Sequence, residues 1–168
     1  MVLVPTQGDL VFAHSKGLIA RAIRFAERHD NGKDATWNHV AVLDRFENGE
    51  WLIIQAEAKG VTDHHTLSGI APGGIYRIVP LPVEVDRGKF LEFVRSQVGK
   101  KYGFLTIASC ALDMCLPDAV CLRKSGTWIC SGLVAGALWF GGFKKAFAWP
   151  DLYTVTPSQI AAVTIILE

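Results

Sequence analysis

The chain carries almost no net charge: 17 Lys and Arg against 16 Asp and Glu leave +1. That balance excludes a global field drawing the protein onto nucleic acid, and no nucleic-acid partner is expected. A cysteine framework is also missing. The four cysteines, Cys110, Cys115, Cys121 and Cys130, crowd into one apolar stretch, with no CxxC and no zinc-module spacing. They read as small buried hydrophobes unless local chemistry singles one out. The opening MVLVPTQGDLVF lacks the basic and long apolar regions of a signal peptide. The expectation is therefore a chain starting near Met1 in the cytoplasm, unless other machinery exports it. No repeat, linker or low-complexity segment divides the 168 residues, so residues 1–168 are read as one domain.

What the sequence has in surplus is apolar residues: 50% are hydrophobic and the mean hydropathy is +0.26. Ser125 to Phe143 runs without a charge, long enough in principle to span a bilayer. Gly126, Gly132, Gly136, Gly141 and Gly142 punctuate it, and the helical part is read as about Trp128 to Phe140. That length suits a buried core helix, so membrane contact is not expected.

The elements follow from periodicity and punctuation. Gly8-Asp9-Leu10-Val11-Phe12 reads as a turn feeding a strand. Lys16 to His29 has helical spacing, with Arg21, Arg24 and Arg28 on the face opposite its apolar stripe, either solvated or anion-binding. NHVAVL (Asn38 to Leu43) and WLIIQAE (Trp51 to Glu57) flank the turn DRFENGE and predict an antiparallel hairpin. Gly74 to Val79 predicts a third strand, and Asp86 caps a helix running to Val98. A second apolar helix follows Tyr102 and stops before Pro117, and the helix holding Cys130 comes next. Thr156-Pro157-Ser158-Gln159 has capping-box spacing with proline at the first helical position. The sum is an α+β domain, a small antiparallel sheet packed against helices.

Cys130 is the cysteine with distinctive chemistry. If Thr127 caps the helix, Cys130 occupies its third position, where unsatisfied N–H groups and the dipole favour a thiolate. Ser131 and Gly132 are small and leave the approach to the sulfur open. The same position also suits one more buried cysteine. A thiolate nucleophile needs a base, usually histidine, and a group that orients it. Among the five histidines, His39 opens the otherwise apolar strand VAVL, while His14, His29, His64 and His65 lie in polar, surface-like segments. Glu57 closes the partner strand and could reach the imidazole across the sheet. Cys130, His39 and Glu57 then form nucleophile, base and orienter.

CSGLV (Cys130 to Val134) resembles the nucleophile motif of the NlpC family of papain-like cell-wall peptidases. GKKYG (Gly99 to Gly103) is similar to the glycine-tyrosine segment upstream of that cysteine, and NHVAV (Asn38 to Val42) resembles the histidine strand. Here the cysteine block follows the histidine block. That order resembles the circularly permuted YiiX-like branch, as do GDLVF (Gly8 to Phe12), EAKGV (Glu57 to Val61) and VTPSQI (Val155 to Ile160). The short motifs together span nearly the whole chain. One departure is Ile129, where an aspartate commonly precedes the nucleophile.

The resemblance implies a circularly permuted papain-like fold and a cysteine amidase or peptidase. Its substrate would be a peptide or amide-containing small molecule, peptidoglycan stem peptides among the options, and no metal or cofactor is implied. Tyr102 is a candidate polar contact at the cleft, Ser131 lines the approach, and Trp37 and Trp128 are candidate pocket walls. Two other readings stay open: a lipid acyltransferase or esterase of the lecithin:retinol acyltransferase-like type, and a non-catalytic peptide-binding module using the same cleft.

Overall fold

The computed structural model describes residues 4–14, 36–72, 74–104, 126–148, 151–152 and 155–165. The helix expected over Lys16 to His29, with its arginine stripe, lies outside these residues. So do the apolar helix expected after Tyr102, the segment Leu105 to Arg123, and Cys110, Cys115 and Cys121.

Five strands form an antiparallel sheet. They are β1 (Leu10–His14), β2 (His39–Glu47), β3 (Glu50–Glu57), β4 (Gly60–Thr66) and β5 (Ile75–Val79), in the spatial order β4-β3-β2-β1-β5. The β2–β3 hairpin is tighter than the sequence predicts. Both strands extend into DRFENGE, leaving only Asn48 and Gly49 at the turn with φ of 52° and 84°. Positive φ at both central residues is the geometry that Asn-Gly favours and that matches strand twist. Strand β4 was not anticipated, because VTDHHT has no apolar alternation. Its backbone nevertheless pairs with β3, Ala56 opposite Val61 and Glu57 opposite Gly60.

Alternation divides the sheet residues between two apolar clusters. Leu10, Phe12, Val40, Val42, Ile54, Ala56, Val61 and Val79 share the larger one with the helices. Val11, Ala13, Ala41, Leu43 and Ile53 pack with Leu67, Ile70 and Ala71 in the smaller one. Burial on both faces explains why β1 and β2 read as nearly unbroken apolar runs. Each fully buried Leu, Ile or Phe contributes about 1.5–3 kcal/mol relative to exposure.

Three α-helices are described: α1 (Arg87–Ser96), α2 (Cys130–Phe140) and α3 (Pro157–Thr164). Asp86 caps α1 by accepting from the Lys89 N–H at 3.0 Å, as its position predicts. Thr156 and Gln159 form the reciprocal capping box at the start of α3. Helix α2 packs against α1, β2 and β3, and its residues from Cys130 to Leu138 are all buried. This accounts for part of the apolar surplus. No helix among the described residues is long and apolar enough to cross a membrane.

Two tethers prepare the site. The short strands β6 (Lys101–Tyr102) and β7 (Thr127–Trp128) run parallel, setting Tyr102 beside Trp128, two residues before Cys130. Gly60 lets β4 approach the chain entering β6. The Val61 N–H donates to Lys100 O at 2.8 Å, and a Cβ at Gly60 (φ 118°) would fall 2.5 Å from that oxygen.

Candidate active site

Helix α2 begins at Cys130 itself, with Ile129 as its N-cap and no side-chain cap. This corrects the expected Thr127 cap and the third-position placement. Thr127 lies in β7, and Cys130 is the first helical residue. The electrostatic argument stands at either position, since the orphan N–H groups and the positive end of the dipole lie in that first turn. The intrahelical ladder begins with Leu133 N donating to Ile129 O at 3.0 Å. The Cys130 N–H therefore stands ahead of the ladder.

Cys130 is buried, with 2% of its surface exposed. Burial would push its thiol up, but the charge and hydrogen bond of His39 oppose this, as do the backbone N–H groups of Val40 and Ser131. The net effect holds the thiol below its ordinary value. For His39 the senses reverse. Burial pulls the imidazole down, the Cys130 charge and hydrogen bond push it up, and Gln55 adds to the rise, so its affinity for a proton ends above the ordinary value. Opposed shifts of this kind favour a thiolate–imidazolium pair.

The residue that orients the imidazole is Gln55. Its Oε1 lies 2.7 Å from His39 Nε2. A side-chain carbonyl can only accept there, so Nε2 carries hydrogen and Nδ1 is left to face the thiol. Glu57 does not make this contact. Its Oε1 accepts from His65 Nε2 at 2.8 Å and from Thr62 Oγ1 at 3.4 Å. Its influence on His39 is a longer-range charge that raises the imidazole. The reason lies in the register. Continuing the Val42–Ile54 pairing sets Glu57 opposite His39 and Gln55 on the diagonal. Diagonal neighbours are within reach of long side chains. The opposite residue is taken by His65 on the unanticipated strand β4, and the diagonal one reaches the ring. The signal that could have found Gln55 is a glutamine amid WLIIQAE, buried at 7% exposure, since a buried amide requires a partner.

The remaining expected site residues divide. Tyr102 is buried close enough to Cys130 that burial and the sulfur's charge both hold its phenol proton well above the ordinary range. Its ring meets Phe104 edge-on at 5.0 Å, and Phe104 is exposed. Ser131 is buried beside the nucleophile and contributes its backbone N–H to the sulfur. Trp128 packs between helices: its Nε1 donates to Gln97 Oε1 at 2.9 Å and its ring meets Phe93 edge-on. These contacts tie it to helix α1. Trp37 packs on Phe12 of the core, ring centroids 6.2 Å apart. The structure thus brings together Cys130, His39, Gln55 and Tyr102, and sets Glu57 behind them. Among the described residues no cluster of His, Cys, Asp or Glu is placed to hold a metal ion.

Compared with known proteins, the chain matches no family model and no curated sequence.

Proposed function

We propose that this protein is a cysteine hydrolase acting on an amide bond through Cys130, His39 and Gln55, on a circularly permuted papain-like fold. The observation that carries the reading is the thiol at the first position of α2, bonded to an imidazole whose other nitrogen is held by Gln55. Such an arrangement supplies nucleophile, base and orienter together. The sheet with a helix presenting the cysteine supports the fold assignment, as does the order of the motifs along the chain.

In the reaction, His39 Nδ1 takes the Cys130 proton and the thiolate attacks the amide carbonyl, forming the C–S bond. The Cys130 N–H stabilises the oxyanion, a contribution worth about 3 kcal/mol for one such donor. Collapse breaks the C–N bond, and the imidazolium gives its proton to the departing amine. Water, deprotonated by the same nitrogen, then attacks the thioester and releases the acid and the free thiol. Gln55 accepts from Nε2 throughout, which keeps Nδ1 aimed at the sulfur.

Iodoacetamide at mildly acidic pH tests the nucleophile: Cys130 is expected to be labelled ahead of the other three cysteines. Equal labelling of all four removes the reading. Incubation with peptidoglycan fragments and mass spectrometry of the products tests the bond cleaved. A module that only binds peptides would form no acyl-enzyme with an electrophilic amide or ester probe.

A further inference from the structure

The reaction accounts for Cys130, His39 and Gln55 and leaves one aromatic side chain of the same neighbourhood unexplained. Phe104 keeps 54% of its surface exposed, although its ring meets that of Tyr102 edge-on at 5.0 Å. A single exposed apolar side chain is ordinary on a protein surface. Phe104 differs in what it stands on. Tyr102 is buried, and it belongs to the same apolar cluster as Trp128 and Cys130.

Backbone pairing bounds its distance from the nucleophile. Tyr102 of β6 lies in parallel register with Trp128 of β7, and the Gly103 N–H donates to Trp128 O at 3.0 Å. Phe104 follows Gly103 directly, and Cys130 follows Trp128 by two residues. With paired strands about 4.8 Å apart and about 3.3 Å per strand residue, Phe104 lies within roughly three residues' length of extended substrate from Cys130. The two segments that span this distance, Tyr102 to Phe104 and Trp128 to Cys130, contain no charged residue. Lys101 alternates with Tyr102 along β6, exposed where Tyr102 is buried, so its charge is turned to the other side. Ile129, the N-cap of α2 and the residue directly before the nucleophile, is an apolar side chain left half-buried.

We propose that Phe104 is a specificity-determining residue: with Tyr102 beneath it, it forms an apolar shelf that selects amide substrates carrying an aromatic or large aliphatic side chain within about three residues of the scissile bond. The inference rests on the hydrolase reading of Cys130 and adds a substrate class to it. An apolar side chain laid on the shelf takes its own surface and the exposed part of the Phe104 ring out of water. An aromatic one can also meet the ring edge-on or offset, as Tyr102 does from beneath. A carboxylate or ammonium in the same place would lose water without gaining an opposite charge from either segment. Peptides charged near the scissile bond are therefore the poorer substrates.

The test uses alkylating probes with one reactive group and different tails, on the full chain. Iodoacetamides bearing an N-benzyl, N-isobutyl, N-hydroxyethyl or N-carboxyethyl group are compared by the rate of Cys130 labelling in mass spectra, each divided by the rate of the same probe with glutathione. The benzyl and isobutyl probes are expected to label wild-type Cys130 on the order of tenfold faster than the other two, the low end of what one apolar contact gives in a site. F104A and F104Q, each checked for folding by a thermal melt, are expected to lose this preference. F104L, which keeps an apolar surface without the ring, is expected to retain the isobutyl preference. Equal rates for all four probes on the wild type overturn the proposal, and so does a preference that survives in folded F104A and F104Q. Unsubstituted iodoacetamide is read separately. If it labels Cys130 no faster than the other three cysteines, the hydrolase reading falls, while the ratio between tails at Cys130 still reports on the shelf.

Discussion

Gln55→Leu is the substitution that isolates the orienting contact. The side chain is buried in β3 and its amide oxygen lies 2.7 Å from His39 Nε2. Leucine matches it closely in size, so the sheet should keep its packing while the imidazole loses its acceptor. A hydrogen bond to a charged partner contributes about 1.5–3 kcal/mol. At about 1.4 kcal/mol per tenfold, the thiolate–imidazolium pair would be weakened about 10- to 150-fold. The assay is the rate of Cys130 alkylation by iodoacetamide from about pH 5 to 8, where histidine chemistry operates, beside a thermal melt to establish folding. Gln55→Glu is the companion variant. It keeps an acceptor at the same place and adds a negative charge that favours the imidazolium, so its alkylation should remain fast. A folded Gln55→Leu protein alkylated at the wild-type rate across that range would refute the role assigned to Gln55.

Cys130→Ala should abolish turnover and leave the melt within a few degrees of wild type, since the thiol is one small group on a helix otherwise held by apolar contacts. Residual turnover in the folded variant would place the nucleophile elsewhere. The Cys130 thiol is held below its ordinary value and His39 above its own, and both shifts favour the reactive ion pair. Alkylation should therefore rise at a pH below the ~8.5 of a free thiol, which a pH series on the folded and denatured protein measures. Gly60→Ala should destabilise by about 2 kcal/mol or more, because its φ of 118° disfavours a side chain and the new Cβ meets Lys100 O. Denaturant unfolding reads this directly, and wild-type stability would contradict the tether. Trp128→Phe should lose roughly 1 kcal/mol with the Gln97 hydrogen bond, and spare alkylation of Cys130.

Much of this was legible from local chemistry. The strands read from LVF, HVAVL and WLIIQAE are present, as are the capped helix after Asp86 and the capping box at Thr156. In each, a short-range rule decides the outcome. Cys130 and His39 were legible because each is a polar, reactive side chain in an apolar run, and the structure brings both together. What escaped depends on pairing at a distance. Strand β4 has no apolar pattern and exists because β3 offers it a backbone edge. Without β4, nothing in the sequence indicated that Glu57 would be engaged by His65, and the choice between Gln55 and Glu57 turned on that engagement. The start of α2 was misplaced for a similar reason. Thr127 is a fair cap by type, yet it is drawn into β7 by pairing with Lys101. Tertiary pairing overrode local propensity there.

The hairpin that carries both His39 and Gln55 has a consequence for how the protein acquires reactivity. Base and orienting group are only 16 residues apart and share one tight turn, so their half of the site can assemble through local contacts. The thiol arrives from the far side of the chain, when α2 docks on β2 and β3. Local hairpins form in microseconds, whereas distant contacts must first meet the entropy of closing a long loop. During refolding, the histidine should therefore find its amide partner before it finds its sulfur. The onset of fast alkylation would mark the closing of the chain rather than its first structure.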